Sequence, residues 1–484
     1  MMKGGRLYTG LLVLLMMGWA SAFTQTELYQ VDKLPGISQM STDEYAPVFY
    51  KRGIVFSSDR PRGAIDRYTN QEDNTPIYNY YYAILKKDGT IEKIELLDQG
   101  LVSRSNKGPV VFSPDYKTMY FTKDNLEPMR FKSSRRDNPC GIYIAQSKGT
   151  RWKDIRPFPY CTGQFNYGHP ALTHDGTRMY FSSDTTGGYG GFDIWYCELK
   201  DGVWTAPVNA GPKINTAGNE GYPFCHPSGR LYFSSTGHGS RGKKSHLYWT
   251  EQINGEWIDP TPLPEPFNTR FSNKSFITDS SMSRGFFVEE RRNKGNIIFF
   301  RTQYALFQNS KPIEEPKLCF TFYDKTAPQL DTSSMMYEWD FGSLGKIRGA
   351  EAYKCFPGPG KYNVNLNVID KLTGELNFSQ ASYPFEIYDI KQVRIKGPQT
   401  CKVNQNIQFT AELTSAGKLT VTQYLWKIGP YDLATGQEIN YVFHQPGTYT
   451  IICRLAATDE NKKAVNPPIC NFITVEVKDA LPGP

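Results

Sequence analysis

The sequence predicts an all-β protein: an N-terminal five-bladed β-propeller, with six blades as the alternative, followed by two immunoglobulin-like β-sandwiches. Three observations carry that prediction. Across 484 residues, glycine (42) and proline (32) recur about once every six or seven positions, too densely for long helices. Aromatic residues reach 14%, with 31 Tyr and 29 Phe, the side chains that pleated sheets favour. A strand-turn-strand pattern recurs through the first 310 residues, the mark of a repeat architecture. Charged residues at 21% argue against wholesale disorder.

The first 22 residues read as a secretory signal rather than as structure. Lys3 and Arg6 supply a positive start, Leu11–Met17 a short apolar core, and Ala20-Ser21-Ala22 a small-x-small cleavage site. The apolar run is too short to span a bilayer, and no Cys follows it, so neither a membrane anchor nor a lipoprotein signal is expected. The mature chain is expected to start near Phe23, with no transmembrane segment. Removing the signal lowers the formal charge from +7 to +5. So weak a basic bias does not point to nucleic acid. An exported compartment permits disulfides. Nine Cys leave at least one thiol over, and spacing favours Cys140 with Cys161 and Cys319 with Cys355.

The repeat spans 27–310. Five segments each pair an apolar strand with a second strand rich in aromatics and Ser: Ala46–Asp59, Gly108–Asp124, His169–Asp184, Tyr222–Ser235 and Lys274–Glu290. Asp115, Asp175 and Ser228 sit in the intervening turns, and Gly176 and Gly229 suit a positive φ there. A third strand follows each pair: Tyr78–Leu85, Gly141–Gln146, Phe192–Leu199, His246–Gln252 and Ile297–Gln303. Four copies add a fourth, at Ile91–Leu97, Trp152–Arg156, Val203–Pro207 and Glu256–Pro260. The fifth copy has none, but Glu27–Leu34 lies at the far end of the region. The segment after it, Leu34-PGISQMSTDEYAP, parallels Ala210-GPKINTAGNEGYP. The N-terminal strand is therefore expected to complete the last blade and close a ring.

Phe112-SPD, Asp175-GTRMYFSSD, Gly190-GFDIWY and Asn219-EGYP together resemble the TolB-like, WD-type β-propellers of bacterial envelope proteins. Farther on, 317–388 holds Tyr337-EWDFG and Phe356-PGPGKY, while 390–478 holds Tyr424-LWKIG and Tyr441-VFHQPGTY. Strand alternation after each Pro-Gly turn gives one buried face, and Trp339 and Trp426 are placed to fill the cores. Both segments resemble PKD domains. The first departs at Ser343-Leu344, and the second departs further, with Lys427-Ile428 in place of Asp-Phe.

The six His form no metal-binding spacing, and no nucleophile elbow, phosphate loop or dinucleotide fingerprint occurs in context, so no cofactor and no catalysis are expected. His174 and His226 fall at blade turns. Glu44, Asp193 and Glu220 are carboxylates that could line a propeller face. The resemblance implies a non-catalytic scaffold of the periplasm or outer membrane, alternatively extracellular. The expected partner is an envelope or outer-membrane protein complex, with type IX secretion and gliding assemblies among the related architectures. The chain's end at Asp479-ALPGP is read as leaving no room for a peptidoglycan-binding module. The alternative is a glycan binder or glycosidase, which would need acidic side chains converging in the axial funnel. Partner contacts are expected on the Ser- and Gly-rich loops Ser57–Gly63, Ser182–Gly191 and Ser234–Lys244, through Arg60, Arg62, Tyr189 and Arg241.

Overall fold

The computed structural model describes residues 28–34, 36–37, 42–61, 76–86, 89–103, 105–124, 139–240, 244–314, 317–323, 334–388, 390–414 and 419–479. Among them, the only helices are short 3₁₀ turns, and no helix is long and apolar enough to cross a membrane.

Five antiparallel sheets make up the N-terminal region, four of them four-stranded and the third five-stranded, with both Val203–Trp204 and Val208–Asn209 along the outer edge of Asp193–Lys200. Their innermost strands are Glu44–Tyr50, Lys107–Phe112, Tyr167–Leu172, Glu220–Cys225 and Ser272–Thr278. Each touches the next, and the last touches the first, so the sheets close a propeller-like ring. The closing strand is Tyr29–Lys33, which pairs antiparallel with the far end of Lys294–Thr302, Val31 opposite Phe300. The fourth sheet differs from expectation in one detail. Glu256–Trp257 folds back on Gln252–Ile253 as a hairpin, and Thr261–Pro262 takes the outer position.

Second-strand aromatics weld neighbouring sheets together. Phe56, Phe121, Phe181, Phe233 and Phe287 are each at most 2% exposed, and a separate apolar cluster fills each of the five seams. The turn acids act as expected. Asp175 accepts from the Thr173 hydroxyl at 2.6 Å and the Thr177 amide at 3.0 Å, and Asp115 from Ser113 and Lys117 in the same way. Every innermost strand carries a bulge. In four of them the bulged residue is a non-glycine in the left-handed region: Ala46, His169, Tyr222 and Ser275, with φ of 51–54°. Pro follows three of these. The kink bends each strand round the axis, at a strain that the surrounding ring must hold.

The two sandwiches repeat one design. Trp339 Nε1 donates to the Gly349 carbonyl (3.1 Å) and Trp426 Nε1 to that of Gly436 (2.7 Å). Tyr362 Oη donates to Gly358 O and Tyr449 Oη to Gln445 O, four residues back in each case. Their order in space is not a simple string. The linker strand Lys311–Pro312 joins the C-terminal sandwich, running parallel to Ile469–Lys478. Gln392 then ties the two connections together: its side chain accepts from the Glu314 amide (2.9 Å) and donates to the Glu314 carbonyl (2.6 Å). The middle sandwich is thus an excursion between two strands of its neighbour.

Candidate functional site

Strand direction gives the ring two faces. One bears the loops between second and third strands, and the other bears the tight turns. The C-terminal sandwich sits on the turn face, against the fourth and fifth sheets. Arg230, in the turn of the fourth, forms a two-pronged ion pair with Asp432, both contacts 2.9 Å. Its guanidinium lies 3.9 Å from the centre of the Trp249 ring. Tyr441 Oη adds a 2.5 Å bond to Asp432, and Tyr304 Oη donates to the Tyr431 carbonyl. Leu28, Phe307 and Leu425 bury the apolar part of the seam. Burial works against the Arg230 charge, but Asp432 more than compensates and raises its pKa. Paired and hydrogen-bonded in this way, both charges tolerate the interface.

The loop face lies on the opposite side of the ring from this docking. Tyr189 lies there, 51% exposed, in a loop stiffened by Asp193, which accepts from the Tyr189 and Gly190 amides and from Asn209. Arg60 lies on the same face but is an internal tie, which corrects its expected role. Its side chain bonds Glu44, Ser58 and the Gly36 carbonyl and stacks over Phe56 and Tyr81. Only 14% of the side chain is exposed. Arg62 and Arg241 lie outside the described residues, as does the 1–22 signal.

The carboxylates singled out in the sequence are likewise spent inside the loops. Glu44 pairs with Arg60, and Glu220 accepts from the Thr216 amide and hydroxyl and from Ser235. The axial channel holds a cavity of about 100 Å³ walled by the innermost strands, with Pro47, Pro109, Pro170, Pro223 and Phe276 among its lining and no carboxylate. Its lining includes a stack of His169 on Tyr222, 3.9 Å between ring centres, and the buried hydroxyl of Ser275. Nδ1 of His169 faces the Tyr222 amide at 3.3 Å. Burial, with the Lys274 charge behind it, pushes the His169 imidazole down to about 3. Sequence reasoning passed over this pair, although both residues occupy the same position just before Pro in successive repeats. His174 is exposed, while both ring nitrogens of His226 are engaged, by Ser228 and the Asp279 carbonyl. Among the described residues no group of three or more His, Cys, Asp or Glu is arranged to hold a metal.

Of the two proposed disulfides, Cys319–Cys355 is formed, across directly paired residues of adjacent strands. Cys140 and Cys161 are free thiols, against expectation. The Cys140 Sγ faces the Tyr167 carbonyl (3.7 Å) in the next sheet, whereas Cys161 packs in the apolar seam with Phe165 and Trp204.

Residues 391–467 match the family described as PKD domain. The match falls on the copy whose motif departs further from the family pattern. No curated protein matches the chain. Among solved structures it is similar to a puromycin-hydrolyzing peptidase of Mycobacterium tuberculosis, with 10% identity and a TM-score of 0.30 over 76% of this chain and 50% of that one. A post-proline cleaving enzyme of Rickettsia typhi gives 9% and 0.27, over 68% and 41%. The extracellular domain of a putative one-component system of B. thetaiotaomicron gives 9% and 0.16, over 90% and 87%. The chain thus spans half or less of the length of the two enzymes, and likenesses this weak bring no activity with them.

Proposed function

We propose that the chain is a non-catalytic interaction scaffold of the bacterial envelope. On this reading a TolB-like ring docks onto an outer-membrane or periplasmic protein complex, of the kind that serves type IX secretion or gliding, and two PKD-type sandwiches are carried beside it. The observation that carries the reading is the division of the ring's faces. The C-terminal sandwich is fixed to the turn face by Arg230 and Asp432, which leaves the longer loops around Tyr189 clear for a partner. The apolar, proline-walled channel and the loop-bound Glu44, Asp193 and Glu220 favour this reading over a glycosidase, which needs two carboxyl groups facing a sugar.

The test is recovery of the tagged full chain from envelope fractions after mild crosslinking. The expected result is co-recovery with an outer-membrane complex, reduced several-fold by Tyr189→Asp on the free face. Recovery solely as a free monomer from the soluble fraction would overturn the reading.

A further inference from the structure

The two sandwiches share a design but not a strand complement. In the C-terminal one an added strand covers one edge of each sheet. Val393–Lys396 lies along Asn406–Leu413, and Lys311–Pro312 and Thr400–Lys402 lie parallel along Ile469–Lys478. In the middle one the corresponding strands, Cys319–Tyr323 and Leu376–Ile387, have no partner on their outer edges among the described residues. The linker strand that precedes the middle sandwich has been given to its neighbour. Exposed apolar side chains follow the same division. Tyr323, Tyr353, Leu372, Leu376, Tyr383 and Tyr388 all stand out from the middle sandwich, and no large hydrophobic residue is exposed on the C-terminal one among the described residues.

The backbone along Leu376–Ile387 keeps pairing groups on its open side, except for the donor that Pro384 lacks. Pro384 has no N–H, so it fits this strand only with its nitrogen turned away from the inner neighbour Gly360–Asp370. By the two-residue period, Ser382 and Glu386 present their N–H and C=O to the open side. The sister domain shows what those groups do. There Glu476, the counterpart of Glu386, donates its N–H to the Gln399 carbonyl (2.9 Å), and Lys478 accepts from the Val403 amide (3.0 Å). Ile313 and Val403, flanking the covering strands, pack onto the C-terminal core.

We propose that the middle sandwich is a strand acceptor: an extended segment of another protein, with aliphatic residues at alternate positions, adds parallel to Leu376–Ile387 over Tyr383–Tyr388 and covers Tyr383. The parallel direction follows the sister domain. It also argues against a second copy of this chain, since two-fold symmetry would pair the strands antiparallel. This deepens the scaffold reading by giving the chain a second docking surface, away from the ring.

The experiment places a photo-crosslinking phenylalanine analogue at Tyr388 of the full chain in its native envelope, with Tyr353, on the other sheet, as the control position. The expected result is an adduct from position 388 that maps to one extended segment of another protein. Its yield falls about tenfold in Glu386→Pro and in Ser382→Pro, which remove open-side donors and spare the inner ladder. The inference is overturned by no adduct, by an adduct to another copy of this chain, or by an adduct indifferent to both proline variants in protein whose melting is unchanged. If the tagged chain still recovers an outer-membrane complex while position 388 is silent, this inference alone fails. A position-388 adduct without that complex leaves the acceptor standing and removes the ring reading.

Discussion

His169 shows how one side chain couples the ring to pH. Its imidazole, stacked on Tyr222, is held down to about 3 from an ordinary 6.5. Above pH 6.5 both folded and unfolded chains carry it neutral. As pH falls from 6.5 to 3, the unfolded chain gains a proton there and the folded one does not. Stability is therefore lost through that window, by at most about 1.4 kcal/mol per pH unit. We expect His169→Gln to lose about 2 kcal/mol less than the parent between pH 7 and pH 4.5, read from urea midpoints at the two pH values. Equal losses in both proteins would refute that role. Residues of this kind divide by how far away their partners lie. The Asp115 and Asp175 turns were legible because a turn closes within five residues. Arg60 was misread because the group that holds it, Glu44, sits sixteen residues back across a strand pair. Arg230 and Asp432 are 202 residues apart, and although Arg230 lies in the fourth repeat copy, nothing in that repeat points to Asp432.

At the level of elements, the closing strand and the blade repeat could be read from alternation and recurring turns, since each sheet is built from sequence neighbours. The covering strands could not: Lys311–Pro312 and Thr400–Lys402 are two and three residues long and carry no period. The Cys319–Cys355 bridge staples the two-stranded sheet of the middle sandwich, closing a loop of 36 residues. Replacing both by Ser is expected to cost that domain about 3 kcal/mol. In calorimetry the middle sandwich should then melt first, with the transition of the ring unmoved, and a reductant should reproduce the shift in the parent protein. A single unshifted transition would show that the bridge adds nothing.

For the molecule as a whole, what matters is how firmly the C-terminal sandwich holds the ring. Arg230→Met leaves Asp432, itself 26% exposed, with the Tyr441 hydroxyl still donating to it but without its cation. Loss of a well-made interdomain pair of this kind should cost about 2–4 kcal/mol of docking. Limited proteolysis should then cut the 303–310 connection between ring and sandwich faster, and a cycle with Asp432→Asn should reveal coupling between the two sites. Additive effects in that cycle would mean that the apolar contact of Leu28, Phe307 and Leu425 holds the seam by itself.

The Gln392 clasp on Glu314 has a mechanical consequence. A pull applied between the ring and the C-terminus travels through the Lys311–Pro312 ladder and bypasses the residues between the clasped ends. The middle module can therefore swing, be exchanged for another cassette, or be excised with a short glycine bridge, while the load path through the remainder stays intact.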